Sequence, residues 1–306
     1  MSSGARSHTA PETAGQEQRR PVSLPRLGEM KAQGEPIVMV TAYDYPSATV
    51  AEAAGVDVVL VGDSAANNVL GYPDTVPVTV EELLMLTAAV RRGLKTPLLV
   101  GDLPFGSYEA SDAQAIETAH RFVKEAGCDA VKLEGGGTSA ERARAIVRAG
   151  VPVMGHVGLT PQTATMLGGY RAQGRTGEKA LAVARDAVAL QEAGCFSIVF
   201  EAIPAAVTDA IMPYMGIPII GIGAGASTDG QVLVLHDLLT IHDDFQPKFA
   251  KRFASVKDEM RRGVDAYAHE VRSRTFPAPE HTYNIAPEEL DRFRAELPDA
   301  PHARVG

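Results

Sequence analysis

From Leu24 onward the chain repeats one rhythm. A short run of branched apolar residues ends in a polar or Gly-rich cluster, a helical stretch follows, and a Gly introduces the next run. The runs are Ile37–Ala42, Val56–Val61, Pro97–Val100, Ala130–Leu133, Val151–Met154, Ser197–Phe200, Ile217–Ile222 and Val232–Leu235. They are continuously apolar rather than alternating, as expected of strands buried on both faces of a parallel sheet. The stretches between them carry helix punctuation. Thr79 with Glu82, Ser111 with Gln114 and Thr138 with Glu141 have capping-box spacing. Gly93, Gly127, Gly150 and Gly194 fall where a left-handed residue would close a helix. Strand and helix alternating eight times predict an α/β protein, a single-domain (β/α)8 TIM barrel, with a doubly wound open sheet as the alternative.

The polar mixture over residues 1–22 predicts a disordered N-terminal extension. Residues 23–285 are expected to form the barrel, with helices outside it beyond about Pro247, and residues 286–306 a polar tail. A length of 306 residues suits one such domain, and 45% hydrophobic with 22% charged residues is ordinary globular usage. The net charge of -9 and the absence of a basic run argue against nucleic acid, which needs clustered Lys and Arg. No signal-type apolar region and no stretch of membrane-spanning length occurs, so a cytoplasmic protein without membrane attachment is expected. Cys128 and Cys195 each follow Ala-Gly just before an apolar run, which reads as a small core residue and not a disulfide.

In a barrel the strand C-termini line the mouth where chemistry occurs. The second run ends in Gly62-Asp63-Ser64, the third in Gly101-Asp102, the fifth in Gly155-His156 and the sixth in Glu201. The fourth carries Lys132 and Glu134 two apart, hence on one side of the strand. Converging acids repel one another unless a cation lies among them, and a hard oxygen donor set without Cys or His suits Mg2+. Asp63, Asp102 and Glu134 are therefore candidate metal ligands. Lys132 is either a cation for a substrate carboxylate or a counter-ion to Glu134. His156 is either a substrate contact or a hydrogen-bonded rim residue. Glu201 emerges from an apolar run, where burial would raise its pKa towards general-base work. The segment Gly221–Gly225 lacks dinucleotide-loop spacing and fits a tight backbone approach after strand seven. The loop from Gly71 through Thr79, with Pro73 and Pro77, is a candidate lid or a structural loop.

These residues also resemble the ketopantoate hydroxymethyltransferase family from about Leu24 to about Tyr283. The matching blocks are Thr41–Asp44, Val61–Ser64, Val69–Tyr72, Gly101–Phe105, Val131–Gly135, Gly155–Gln162 and Gly221–Gly225, in the family's order. The resemblance implies a barrel enzyme of pantothenate biosynthesis. Such an enzyme moves a one-carbon unit from 5,10-methylenetetrahydrofolate to 3-methyl-2-oxobutanoate, yielding 2-dehydropantoate. It implies Mg2+ on Asp63, Asp102 and Glu134, substrate contacts from Asp63, Ser64, Asp102, Lys132 and His156, and Glu201 as proton acceptor. A decamer of two pentameric rings is implied as well. The chain departs from the family at Ala65-Ala66-Asn67-Asn68, where an apolar stretch is usual, and at Ser227-Thr228.

Two other functions fit parts of the pattern. A Mg2+-dependent carbon–carbon lyase or mutase of the phosphoenolpyruvate mutase and isocitrate lyase type would share the barrel. It usually carries a reactive loop cysteine, whereas both cysteines here precede strands. A non-catalytic 2-oxo-acid-binding barrel would be expected to have lost the base or a metal ligand, and all four acids are present.

Overall fold

A computed structural model describes residues 19–242 and 247–298. The first helix, α1 (Leu24–Gln33), is capped by Ser23 and closed by Gly34 in the left-handed conformation. Then come β1 (Ile37–Thr41), α2 (Tyr45–Ala54), β2 (Val58–Val61), α3 (Ala65–Asn68), α4 (Val80–Gly93) and β3 (Leu98–Asp102). The chain continues through α5 (Asp112–Ala126), β4 (Ala130–Lys132), α6 (Thr138–Arg148), β5 (Val153–Gly158), α7 (Ala164–Leu167) and α8 (Gly177–Ala193). It ends this unit with β6 (Ser197–Glu201), α9 (Ala205–Ile211), β7 (Ile219–Ile222), β8 (Gly230–Leu233) and α10 (Leu235–Leu239). The strands pair in sequence order, all parallel, and β8 closes on β1. The expected barrel is what forms, with one difference: residues 223–229 join β7 to β8 without a helix.

Alternate side chains of each strand divide between two cores. Met39, Val58, Leu60, Leu98, Val100, Ala130, Met154, Val199 and Ile220 fill the interior, where Leu27 and Met30 of α1 join them. Val59, Leu99, Val131, Val153 and Phe200 point the other way, into the layer under the helices. Both faces being buried is why the runs read as continuously apolar. Val38 of β1 is the exception at 51% exposed.

Local punctuation holds in part. Thr79 and Glu82 form the full capping box, with each side chain on the other's backbone N–H. Ser111 accepts from the Gln114 N–H, but the Gln114 side chain serves Ala110 N and Gly106 O instead. Thr138 is inside α6, whose N-cap is Gly137, so that expected box is absent. Gly127 and Gly194 are left-handed C-caps as expected. Gly93 is not; it lies in the last turn of α4, where an added Cβ would sit 2.7 Å from Ala48 Cβ of α2. Its smallness is used for helix–helix approach.

Of the expected N-terminal extension, residues 1–18 lie outside the described residues. Arg19 at its end donates to Val56 O and Asp57 Oδ1, and Val22 N donates to Thr96 O. The chain divides into two compact units, the second starting at Ser255. That unit contains α11 (Val256–Ser273) and α12 (Pro287–Glu296), the latter inside the segment expected as a polar tail; neither has a buried residue. Tyr267 and Phe276 meet edge-on at 5.6 Å within it.

Candidate active site

The period-two alternation that fills the barrel with apolar side chains also delivers the polar ones. Above Leu98 and Val100, the next inward position of β3 is Asp102. Above Ala130 come Lys132 and then Glu134; above Met154 comes His156; above Val199 comes Glu201. Parallel register then sets neighbours, placing Asp102 opposite Lys132 and Gly158 opposite Glu201. Asp63 follows β2, with its backbone N–H held at 3.1 Å by Asp102 Oδ2. One ligand atom from each of Asp63, Asp102 and Glu134 lies within 4.8 Å of the others, and all three residues are buried.

Lys132 Nζ donates to Asp102 Oδ1 at 2.7 Å, to Asp102 Oδ2 at 2.8 Å and to Glu134 Oε1 at 3.3 Å. Burial lowers its pKa, but Asp102 and Glu134 outweigh burial and hold the ammonium charged. His156 bridges two acids, with Nδ1 3.2 Å from Glu134 Oε1 and Nε2 3.2 Å from Glu201 Oε2. Burial opposes its charge as well, yet Glu134 above all raises its pKa to about 9, making it an imidazolium at neutral pH. Glu134 is correspondingly held down to about 2: burial pushes it up, and Lys132 and His156 more than reverse that.

The remaining two acids behave oppositely. Burial, then Asp102 and Glu134, push the Asp63 carboxyl well above the usual range. Asp102 is raised too, burial and Glu134 prevailing over Lys132. Asp63 Oδ2 is fully buried and has no hydrogen-bond partner. Uncompensated negative charge together with an orphaned oxygen on three converging carboxylates fits a divalent cation. Of the alternatives for Lys132, the geometry shows the counter-ion, to Asp102 as well as to Glu134.

Glu201 ends β6 with its side chain 15% exposed and one carboxylate oxygen 3.2 Å from His156 Nε2. Ser64 Oγ lies 2.8 Å from Tyr43 OH, whose pKa burial pushes up to about 12, so the phenol stays protonated beside it. The variant segment Ala65-Ala66-Asn67-Asn68 is absorbed locally. Both alanines are buried, Asn68 Nδ2 donates to Ser64 O, and Asn68 Oδ1 meets His242 Nε2 at 2.6 Å.

Two further residues hold the site. Tyr108 OH donates to Gln162 Oε1 at 2.7 Å and takes the Glu134 N–H at 3.3 Å, while Gln162 N donates to Glu134 Oε2 at 3.1 Å. Gln162 sits in the Gly155–Gln162 block, but Tyr108 gave no sequence signal, being one aromatic in the loop after β3. Cys128 and Cys195 are buried before β4 and β6, at the opposite end of the barrel, and burial pushes both thiols up to about 12. Neither is a reactive loop cysteine.

The profile of the ketopantoate hydroxymethyltransferase family matches residues 21–279. The chain is 51% identical to a 3-methyl-2-oxobutanoate hydroxymethyltransferase of Moorella thermoacetica, over 87% of this chain and 99% of that one. It is 51% identical to a mitochondrial enzyme of the same name from Arabidopsis thaliana, over 90% of this chain and 82% of that one. Among solved structures, phosphonopyruvate hydrolase in complex with oxalate and Mg2+ aligns with TM-score 0.57 at 12% identity, over 90% and 97% of the two chains. A 2,3-dimethylmalate lyase of the phosphoenolpyruvate mutase and isocitrate lyase superfamily aligns with TM-score 0.55 at 17% identity, over 88% and 93%. These last two share the barrel fold.

Proposed function

Because the chain belongs to the ketopantoate hydroxymethyltransferase family, we propose that it transfers a one-carbon unit from 5,10-methylenetetrahydrofolate to 3-methyl-2-oxobutanoate, giving 2-dehydropantoate. The observation that carries this reading is the division of labour among the acids. Asp63, Asp102 and Glu134 converge within 4.8 Å, while Glu201 stands apart across the His156 ring. When bound by those three residues, Mg2+ would supply Lewis-acid stabilisation of negative charge developing on the substrate.

The chain's own residues account for the rest. Glu201 takes the proton from C3 of the 2-oxo acid. The His156 imidazolium stays on one carboxylate oxygen, fixing the side chain and leaving the other oxygen for the proton. Lys132 and Ser64 hold the substrate carboxylate, Ser64 being oriented by Tyr43, so that C3 faces Glu201. The carbanionic C3 then bonds to the methylene carbon as the first of that carbon's two bonds to folate nitrogen breaks. Water supplies the hydroxyl as the second C–N bond breaks, and the two nitrogens take up the proton removed from C3 and one proton of the water, so that tetrahydrofolate leaves.

The test is C3 hydrogen exchange of 3-methyl-2-oxobutanoate in D2O with Mg2+ and no folate, followed by proton NMR. The native protein should exchange, and Glu201→Gln should be slower by about 10²–10⁴-fold. Absence of exchange by the native protein, or full exchange by the variant, would refute the role of Glu201. A cytoplasmic decamer of two pentameric rings belongs to the same proposal, and sedimentation velocity checks the assembly. Among the described residues no helix is long and apolar enough to cross a membrane.

A further inference from the structure

Of the three converging acids, two have their second oxygen accounted for. Asp102 receives Lys132 on both oxygens, and Glu134 Oε2 receives the Gln162 N–H at 3.1 Å. Asp63 Oδ2 is buried with nothing on it. On the loop after β2, Thr75 is only 5% exposed; its side chain acts on the Asp63 carboxyl, and its Oγ1 is likewise buried without a partner of normal hydrogen-bond geometry. A buried donor and a buried acceptor are thus orphaned side by side.

The loop that carries Thr75 is held in place. Tyr72 N donates to Ala66 O at 2.9 Å, Asn67 Nδ2 donates to Tyr72 O at 3.3 Å, and Tyr72 OH donates to Glu82 Oε1 of α4 at 2.7 Å. Past the tip, Asp74 Oδ1 accepts the Val76 N–H at 3.0 Å, and Val78 is buried. Pro73 and Pro77 restrict the backbone on either side. The segment read as a possible lid is therefore a braced wall that presents one hydroxyl inwards to Asp63.

We propose that Thr75 is a positioning residue for the metal ligand Asp63, its hydroxyl donating to Asp63 Oδ2 and leaving the other carboxylate oxygen for the ion. Such outer partners fix a ligand's orientation, and their loss typically weakens metal binding about 10–100-fold. This rests on the reading of Asp63 as a ligand, so the experiment separates the two.

Mn2+ binding to the full-length protein is measured by calorimetry and by the loss of the free-ion EPR signal, with no substrate present. Native protein, Thr75→Val, Thr75→Ser and Asp63→Asn are compared. Thr75→Val, which keeps the shape, should raise the Kd for Mn2+ by about 10-fold or more. Thr75→Ser should restore native affinity, and Asp63→Asn should lose binding. Native affinity in Thr75→Val alongside lost binding in Asp63→Asn overturns the role of Thr75 and leaves the metal site standing. Native affinity in Asp63→Asn overturns both. Should Thr75→Val not fold, Thr75→Ala carries the comparison with the same expectations.

Discussion

Gly158 is the point where the proposed base can be displaced without touching the metal acids. It ends β5 with φ 97° and lies opposite Glu201 in the β5–β6 ladder. A Cβ built there would sit 2.2 Å from Glu201 O and 2.8 Å from Ile203 Cγ1. Gly158→Ala thus adds two penalties. Forcing an L-residue into positive φ costs about 1–2 kcal/mol, and overpacking a close-fitted site about 1–3 kcal/mol more. A total of about 2–5 kcal/mol corresponds to a Tm lowered by about 5–15 °C in a barrel of this size. The obstructing atom is backbone, so β6 must move by about 1 Å to reach ordinary contact, and a misplacement of that size costs about 10²-fold in rate. Asp63, Asp102 and Glu134 lie on or just beyond β2, β3 and β4, outside this contact. The expected result is a lower Tm, C3 exchange in D2O down by about 10²-fold, and unchanged Mn2+ affinity by calorimetry. A variant with native Tm and exchange, or one whose exchange falls only in step with its metal affinity, would refute the reasoning.

Lys132→Met should cost about 3–5 kcal/mol, because Asp102 and Glu134 lose the cation buried with them; urea midpoints should show the loss, and Mn2+ should recover part of it by replacing the charge. Tyr108→Phe leaves Gln162 Oε1 and the Glu134 N–H short of a partner, a loss of about 1–3 kcal/mol readable by urea denaturation. His236 titrates low: burial first, then His242, lower its pKa from 6.5 to about 4. The folded state keeps this ring neutral while the unfolded chain takes up a proton, so its contribution is complete above 6.5 and is lost as pH falls from 6.5 to about 4. His236→Phe, which preserves the contact with Tyr43, should flatten the fall in denaturant midpoint between pH 7 and 4.

The fold was legible because each strand is buried on both faces, which writes an unbroken apolar run, and because the helices between most runs end at glycines. The missing helix between β7 and β8 was not legible, since the run spacing there still allowed one. Asp63, Asp102, Glu134, His156 and Glu201 were legible for one reason: each directly follows an apolar run or stands two positions beyond a buried one, so topology alone carries it to the mouth. Tyr108, Gln162 and Thr75 are a different kind of residue. They sit in loops whose course depends on contacts far along the chain, as when Tyr108 meets Gln162 across 54 positions, and no local period marks them.

The charges around the mouth then constrain what can complete it. With every acid ionised, Asp63, Asp102, Glu134 and Glu201 face the two cations Lys132 and His156, leaving two negative charges in a place mostly closed to water. Burial first, and then their neighbouring carboxylates, lift Asp63 and Asp102 above the usual carboxylate range. A monovalent ion would leave half of it, whereas a divalent one cancels it. A 2-oxo acid brings a further carboxylate, and Lys132 cannot serve both oxygens of Asp102 and that newcomer at the same distance. A doubly charged ion beside Asp102 relieves this conflict, since it supplies the charge that Lys132 otherwise gives to Asp102 alone. Substrate affinity, read by calorimetry with and without Mn2+, should therefore depend on the divalent ion in the native protein, and at least as strongly in Lys132→Met, where the excess negative charge grows by one.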